Sequence, residues 1–388
     1  MKLRILAALA CAALAWAQRS PVDDAWDLVA KGHRDQATEL LNTFIRKDPQ
    51  NVDARLLLGS LYMESGNASG SIEQLTEAVR LRPQSADAQN ALGEAYNTFG
   101  NPKAARAPFE KAVSIKPDFA AAQVNLGLVM LQAGEFPRAG EHLDRAIKIL
   151  GKTADAAYPH YLLAKVYSAS NDTEKAAAEL EQAVSLRPDL AEAWSDLGQA
   201  RKALSNDVGA LAAQKRAVEL NPKDAIAQYR LGAEYLRQDQ PALAIEPLRE
   251  AYRLNPEDHS TLNSLQSALR QTGKTEEAAA IKQKLTDLLR KEDEARQNAV
   301  KAVKVNNDGA ALEKAGNLKG AVDKYREAVE LNPGHVGMRV NYAVALLRLG
   351  RWTEGLNELR EALRRDPGNA QIKAALEDAI KQAPPAAR

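Results

Sequence analysis

Leu92-Gly93-Glu94-Ala95-Tyr96-Asn97-Thr98-Phe99-Gly100-Asn101, LGEAYNTFGN, nearly repeats a stretch that begins thirty-four residues earlier at Leu58, LGSLYMESGN. The same spacing runs through the chain. Proline closes successive blocks at Pro49, Pro83, Pro117, Pro188, Pro222, Pro256, Pro333 and Pro367. A Leu-Gly pair recurs at Leu58-Gly59, Leu92-Gly93, Leu126-Gly127, Leu197-Gly198 and Leu231-Gly232. Four positions after the leucine comes a large residue, as at Tyr62, Tyr96, Met130 and Tyr235. The second half of a block carries a small residue, a bulky one four later and an alanine three after that, as in Ala105, Phe109, Ala112 and Ala244, Leu248, Ala251.

Spacings of four and then three place such residues on one face of a helix, so each block reads as two helices. Gly66, Gly100, Gly134 and Asn171 break the first helix from the second. Proline ends the second because it cannot continue one. Ser85, Asp118, Asp189 and Asp224 follow the prolines and are expected to cap the next first helix. Gly93 and Ala105 are small enough to let two antiparallel helices approach, and Tyr96 and Phe109 fill the space beside them.

Composition agrees. The 388 residues are 45% hydrophobic but only 5% aromatic, which suits many small helix–helix contacts better than a core of large rings. Alanine, leucine, glutamate, lysine and arginine dominate, and no period-two run rich in valine, isoleucine and threonine points to a sheet. The expected fold is all-α. Formal charge is +1, and it falls to about neutral without Lys2 and Arg4. The net basic footprint of a nucleic-acid binder is missing.

The pattern Leu-Gly-x-x-Tyr, then Ala-x-x-x-Phe-x-x-Ala, then Pro, carried by Leu92, Gly93, Tyr96, Ala105, Phe109, Ala112 and Pro117, resembles the tetratricopeptide repeat family. The family's early tryptophan is present only at Trp194. Ten blocks start near residues 18, 52, 86, 120, 157, 191, 225, 259, 302 and 336. The resemblance implies an α-solenoid, a superhelix of stacked antiparallel helix pairs. A tail helix over 370–382 would serve as the C-terminal capping helix.

Three places depart from the pattern. Gly151 replaces a proline, and three residues are inserted before Ala157. Between Lys274 and Asp308 there is no Gly or Pro, and the segment from Arg290 to Arg296 is strongly charged, which reads as helix running past the eighth block. The first block has Asp24-Ala25 where Leu-Gly is expected. The expected organisation is a signal peptide at 1–17, an array of about eight repeats at 18–287, a charged helical connection at 288–304, and two further repeats with the capping helix at 305–383.

The N-terminal reading rests on Lys2 and Arg4, the apolar run from Ile5 to Leu14, and Ala15-Trp16-Ala17 before Gln18. This matches a secretory signal peptide cleaved after Ala17, and hence a periplasmic or cell-envelope location. The run is too short for an integral membrane span. An uncleaved signal anchor is the alternative. Cys11, the only cysteine, lies inside this run in Ala8-Leu9-Ala10-Cys11, a poor match to a lipid-attachment box. After cleavage no thiol chemistry remains.

No catalytic set stands out. His33, His142, His160, His259 and His335 fall in different blocks, and no zinc-binding, phosphate-binding or nucleophile motif occurs. Carboxylates sit at helical surface spacings. No cofactor and no metal are expected. An enzyme domain, such as a glycosyltransferase behind the repeats, has no room outside the array.

Binding is what remains. In the family, block positions 2, 5, 9, 12 and 13 point into the concave groove. The resemblance therefore implies groove residues Asn90, Glu94, Asn97 and Thr98 in block three, and Val124, Leu128, Leu131 and Gln132 in block four. It implies Tyr158, Tyr161 and Lys165 in block five, Tyr229 and Arg237 in block seven, and Asn263 and Arg270 in block eight. The apolar stripe beside Tyr158 and Tyr161 suits a peptide or protein segment. The other reading of that stripe is a slipped block boundary that makes it core. Glu94 argues against a clamp for a peptide's terminal carboxylate. Two roles fit: a scaffold that binds a protein partner, or a subunit of an envelope machine for polysaccharide export, pilus assembly or outer-membrane assembly.

Overall fold

A computed structural model describes residues 20–385. The signal-peptide reading of 1–17 and Cys11 lies outside the described residues. Twenty α-helices and one short 3-10 turn, with no strand among the described residues, run from Pro21–Ala30 to Ala370–Gln382. They form ten antiparallel pairs and a final single helix. The first seven pairs begin with Pro21–Ala30, Val52–Glu64, Ala86–Thr98, Ala120–Gln132, Ala157–Ala169, Ala191–Ala203 and Ala225–Arg237.

The helix breaks follow the expected chemistry. Gly100 has φ 77° and Asn171 φ 59°, the left-handed turn that separates first from second helix. Ser85 accepts from the Ala88 N–H and Asp224 from those of Ile226 and Ala227, as caps should. Asp118 and Asp189 do not cap. The cap position lies two residues after the proline, and there Phe119 and Leu190 offer no side-chain acceptor. The insertion after Gly151 folds as the 3-10 turn Ala154–Ala156.

Within a pair, one small–large fit sets the approach of the helices. A Cβ on Gly93 would lie 2.5 Å from the Phe109 ring, and one on Gly232 2.4 Å from Leu248. Both partners are fully buried. Where the large residue is a ring, as in Gly93–Phe109 and Gly309–Tyr325, the small one is glycine. Where the small one is alanine, as in Ala25–Leu41, Ala164–Leu180 and Ala343–Leu359, the partner is leucine.

Between pairs, a different residue closes the joint. In six of the pairs the fourth position of the first helix donates to the carbonyl of the proline six residues earlier. Gln123 Nε2 reaches Pro117 O at 2.7 Å, Gln228 Nε2 reaches Pro222 O at 2.9 Å, and Trp194 Nε1 reaches Pro188 O at 2.9 Å. Arg55 Nη2 meets Pro49 O at 2.8 Å, and Arg339 and Gln89 bond Pro333 and Pro83. In these six pairs the family's tryptophan position is thus filled by a long N–H donor, whereas pair eight has Leu262 there. Gln123 is fully buried, and its Oε1 also meets His142 Nδ1 at 2.7 Å. Gln123→Leu is expected to cost about 0.5–1.5 kcal/mol for each hydrogen bond lost, because Pro117 O and His142 Nδ1 both lose their partner. Urea denaturation of the two proteins checks this.

The chain divides into two compact units, one ending at Asn255 and one beginning at Pro256. The division falls ahead of the eighth pair. The reason is the forty-residue helix Thr275–Lys314, which serves as second helix of pair eight and first helix of pair nine. It packs on His259–Gln271 at one end and Leu318–Leu331 at the other, so pair eight stays with the second unit. The charged segment is helical, and residues 289–298 are exposed.

Pair nine also has an unusual outer side. At its third and seventh positions stand Lys304 and Asp308, both exposed, where other pairs bury residues such as Ala88 and Leu92. Pair one shows the same feature at Ser20 and Asp24. A polar outer face is what a repeat needs when no repeat packs on it, so the stack begins afresh at pair nine. The final helix Ala370–Gln382 buries Ile372 and Ala379 and exposes Lys373, Glu377, Asp378 and Lys381, as a cap must.

In the second unit Tyr325, 2% exposed, fills the space over Gly309 and donates to Glu313 Oε2 at 2.8 Å. Burial and the Glu313 carboxylate push its phenol up to about 12, from an ordinary 10.0. An unfolded chain loses this proton first, so stability is expected to fall as pH rises through that window. Tyr325→Phe should flatten this alkaline loss in thermal melts taken at a series of pH values.

Candidate functional site

The face built by the first helices of pairs three to seven holds most of the expected groove residues. Asn90 and Glu94 are brought together, but inside a closed network. Asn90 Nδ2 donates to Glu94 Oε1 at 2.9 Å. Asn125, from the next pair, donates to Asn90 Oδ1 at 3.1 Å and to the same Glu94 oxygen at 2.9 Å. Asn90 is only 6% exposed. These three side chains tie pair three to pair four. Asn97 is half-buried, while Thr98 and Gln132 are exposed.

Val124, Leu128 and Leu131 are half-buried and pack on the cluster of Phe109, Leu126, Met130 and Leu143. They are neither core nor bare: one side rests on the core and the other is open. Tyr158 is 39% exposed, with its ring centroid 6.2 Å from that of Tyr161. Burial raises the Tyr161 phenol above its ordinary value.

Lys165 Nζ sits 5.1 Å over the Tyr161 ring and 2.9 Å from Asp196 Oδ2. Burial opposes its charge, and the Asp196 carboxylate outweighs that, so the ammonium is held above its usual range. Asp196 Oδ1 accepts from Arg230 Nη1 at 2.9 Å, and the same nitrogen donates to Ser195 Oγ at 2.8 Å. A chain of charges therefore crosses pairs five, six and seven.

Beside this chain lies a cavity of about 500 Å³ between the first helices of pairs five and six. Leu131, Ala164, Leu180 and Ala200 form its apolar floor, with Lys165 and Asp196 at the rim. Of the expected residues, only Leu131 and Lys165 line it. Asp196, Gln199 and Ala203 also line it and escaped the sequence reading. Asp196 occupies position six of its block, outside the family's groove set, and so does Asn125. A polar residue recurring at position six was the available signal.

Arg237 is engaged structurally. Its Nη2 lies 2.5 Å from Glu234 Oε1 and 2.7 Å from Asp207 Oδ1, which joins pair seven to pair six. Glu234 is 3% exposed; burial alone would raise its carboxyl, yet the Arg237 guanidinium holds it lowered. Tyr229 is half-buried on the same helix. Asn263 is exposed and donates to His259 O at 2.9 Å, and Arg270 is exposed; both belong to the second unit. Among the described residues no group of three or more His, Cys, Asp or Glu could hold a metal, and no helix is long and apolar enough to cross a membrane.

Sequence profiles described as tetratricopeptide repeat match residues 22–73, 57–118, 161–225 and 200–259, then 118–189, then 312–379. This chain belongs to the tetratricopeptide repeat family, and with it to a class of scaffolds for protein interaction. Solved structures similar to it include PilF of Pseudomonas aeruginosa, 19% identical over 56% of this chain and 96% of that one, with a TM-score of 0.51. A repeat protein from Parabacteroides merdae is 16% identical over 64% and 97%, with a TM-score of 0.49. PilW, a type IV pilus biogenesis factor, is 21% identical over 54% and 95%, with a TM-score of 0.49. At these identities the likeness concerns the fold. No curated protein sequence matches the chain.

Proposed function

We propose that this is an exported, non-catalytic scaffold that binds a peptide or protein segment on the first-helix face of pairs four to six. The observation that carries the reading is the apolar-floored cavity with Lys165 and Asp196 at its rim, next to the half-open stripe of Val124, Leu128 and Leu131. Half-exposed apolar side chains beside a concavity gain most when a partner covers them. The signal-like sequence at 1–17 supports a periplasmic or envelope setting.

The test is capture from an envelope extract by the immobilised chain from Gln18 onward, with crosslinking and mass spectrometry. A saturable partner crosslinked to Lys165 supports the reading. A folded protein that retains nothing saturably in that extract contradicts it. Release of the partner by soluble peptides separates a peptide-binding scaffold from a fixed subunit of an assembly machine.

A further inference from the structure

The cavity between pairs five and six has a chemistry that narrows the partner. Short side chains create it. Ala200 and Ala203 stand on the first helix of pair six, and Ala164 and Ser168 on that of pair five. At the position of Ala203, pairs two, three, four and seven carry the longer Glu64, Thr98, Gln132 and Arg237. Leu131, Ala164, Leu180 and Ala200 give it an alkyl base, and Ser168, Asn171, Thr173 and Gln199 complete its lining. At the alkyl base a charged side chain would lose water for no partner, while the polar groups of Ser168, Asn171, Thr173 and Gln199 stand in the walls. A bulky apolar side chain would lose nothing and cover the floor.

The mouth is different. Asp196 has one donor on each oxygen, Lys165 on Oδ2 and Arg230 on Oδ1. The carboxylate is thereby occupied, while its two cationic partners are not exhausted. Lys165 keeps a side chain 45% exposed, and Arg230 engages Nη1 with Ser195 and Asp196 and is 27% exposed. Two cations on one carboxylate leave the rim biased towards an incoming anion. Glu192 lies one helix turn before Asp196, on the Tyr161 side and outside the lining. Further along the face, Glu94 is held by Asn90 and Asn125, and Asp87 stands exposed on pair three.

Building on the binding role proposed for this face, we propose that the cavity receives one bulky apolar side chain of a partner polypeptide, and that Lys165 and Arg230 take an acidic side chain from the same segment.

A display library of short linear peptides, selected on the folded chain from Gln18 onward, tests this. Recovered peptides are expected to share an aromatic or large aliphatic residue with Asp or Glu close by. Ala203→Trp places an indole at the cavity mouth from an exposed helix position, so the fold should tolerate it. It should weaken such peptides by roughly tenfold or more, the scale on which one anchor acts. Lys165→Met should erase the preference for Asp over Asn in the peptide and leave the apolar requirement intact. Peptides that crosslink to the first-helix face yet need no apolar residue, or bind Ala203→Trp unchanged, overturn this assignment and leave the scaffold role standing. If no peptide binds that face at all, both fail.

Discussion

Phe109→Ala is expected to destabilise the protein by about 3–5 kcal/mol, the range for emptying a buried aromatic site. The ring is fully buried and belongs to one cluster with Leu126, Met130 and Leu143, so it joins pair three to pair four as well as closing its own pair. Gly93 offers no side chain that could move into the void. In a stacked array each repeat contacts only its neighbours, so the damage should stay local. Hydrogen exchange should quicken in residues 86–132 and leave the unit that begins at Pro256 unchanged. Urea denaturation gives the magnitude. A loss well under 1 kcal/mol would mean that the ring is not the wedge between these helices.

Gly93→Ala is the second large effect, about 1–3 kcal/mol, because the new methyl would stand 2.5 Å from the Phe109 ring and force it or the helix to shift. The partner rule seen along the chain makes this sharper. Alanine occurs opposite leucine at Ala25–Leu41, Ala164–Leu180 and Ala343–Leu359, each pair essentially fully buried. Gly93→Ala combined with Phe109→Leu would copy that arrangement. The double variant should therefore be more stable than the two single losses predict, with a favourable coupling of about 0.5–3 kcal/mol. Strict additivity would show that the two positions do not meet.

These two residues also show why so much of the fold was legible in the sequence. The contacts that define a helix pair lie sixteen residues apart and recur in block after block, so their periodicity carries the three-dimensional arrangement. Contacts between pairs are less regular in residue type. The donor to the proline carbonyl is Arg55, Gln89, Gln123, Trp194, Gln228 or Arg339, and only its N–H is constant. A pattern of letters hides a pattern of hydrogen bonds. The break at the long helix was visible as missing Gly and Pro, but its consequence was not. Lys304 and Asp308 mark the restart at pair nine only once their positions are aligned with buried residues elsewhere.

The site was less legible for a related reason. Position numbering finds residues on the first-helix face, yet it does not say which of them are already taken. Asn90 is closed off by Glu94 and Asn125, and Arg237 by Glu234 and Asp207. Of the groove residues expected from position numbering, Lys165 and Leu131 alone reach the cavity, which opens beside the short Ala200 and Ala203. An absence of volume leaves no motif.

The most direct test of the binding role places a photo-crosslinking residue at Gln199 on the cavity lining and, in a second protein, at exposed Gln182 on the second helix of pair five. Both are presented to the envelope extract under the same illumination. A partner that crosslinks from position 199 and not from 182 is the predicted result. A partner that crosslinks from 182 and not from 199 would place recognition on the second-helix face and contradict the account.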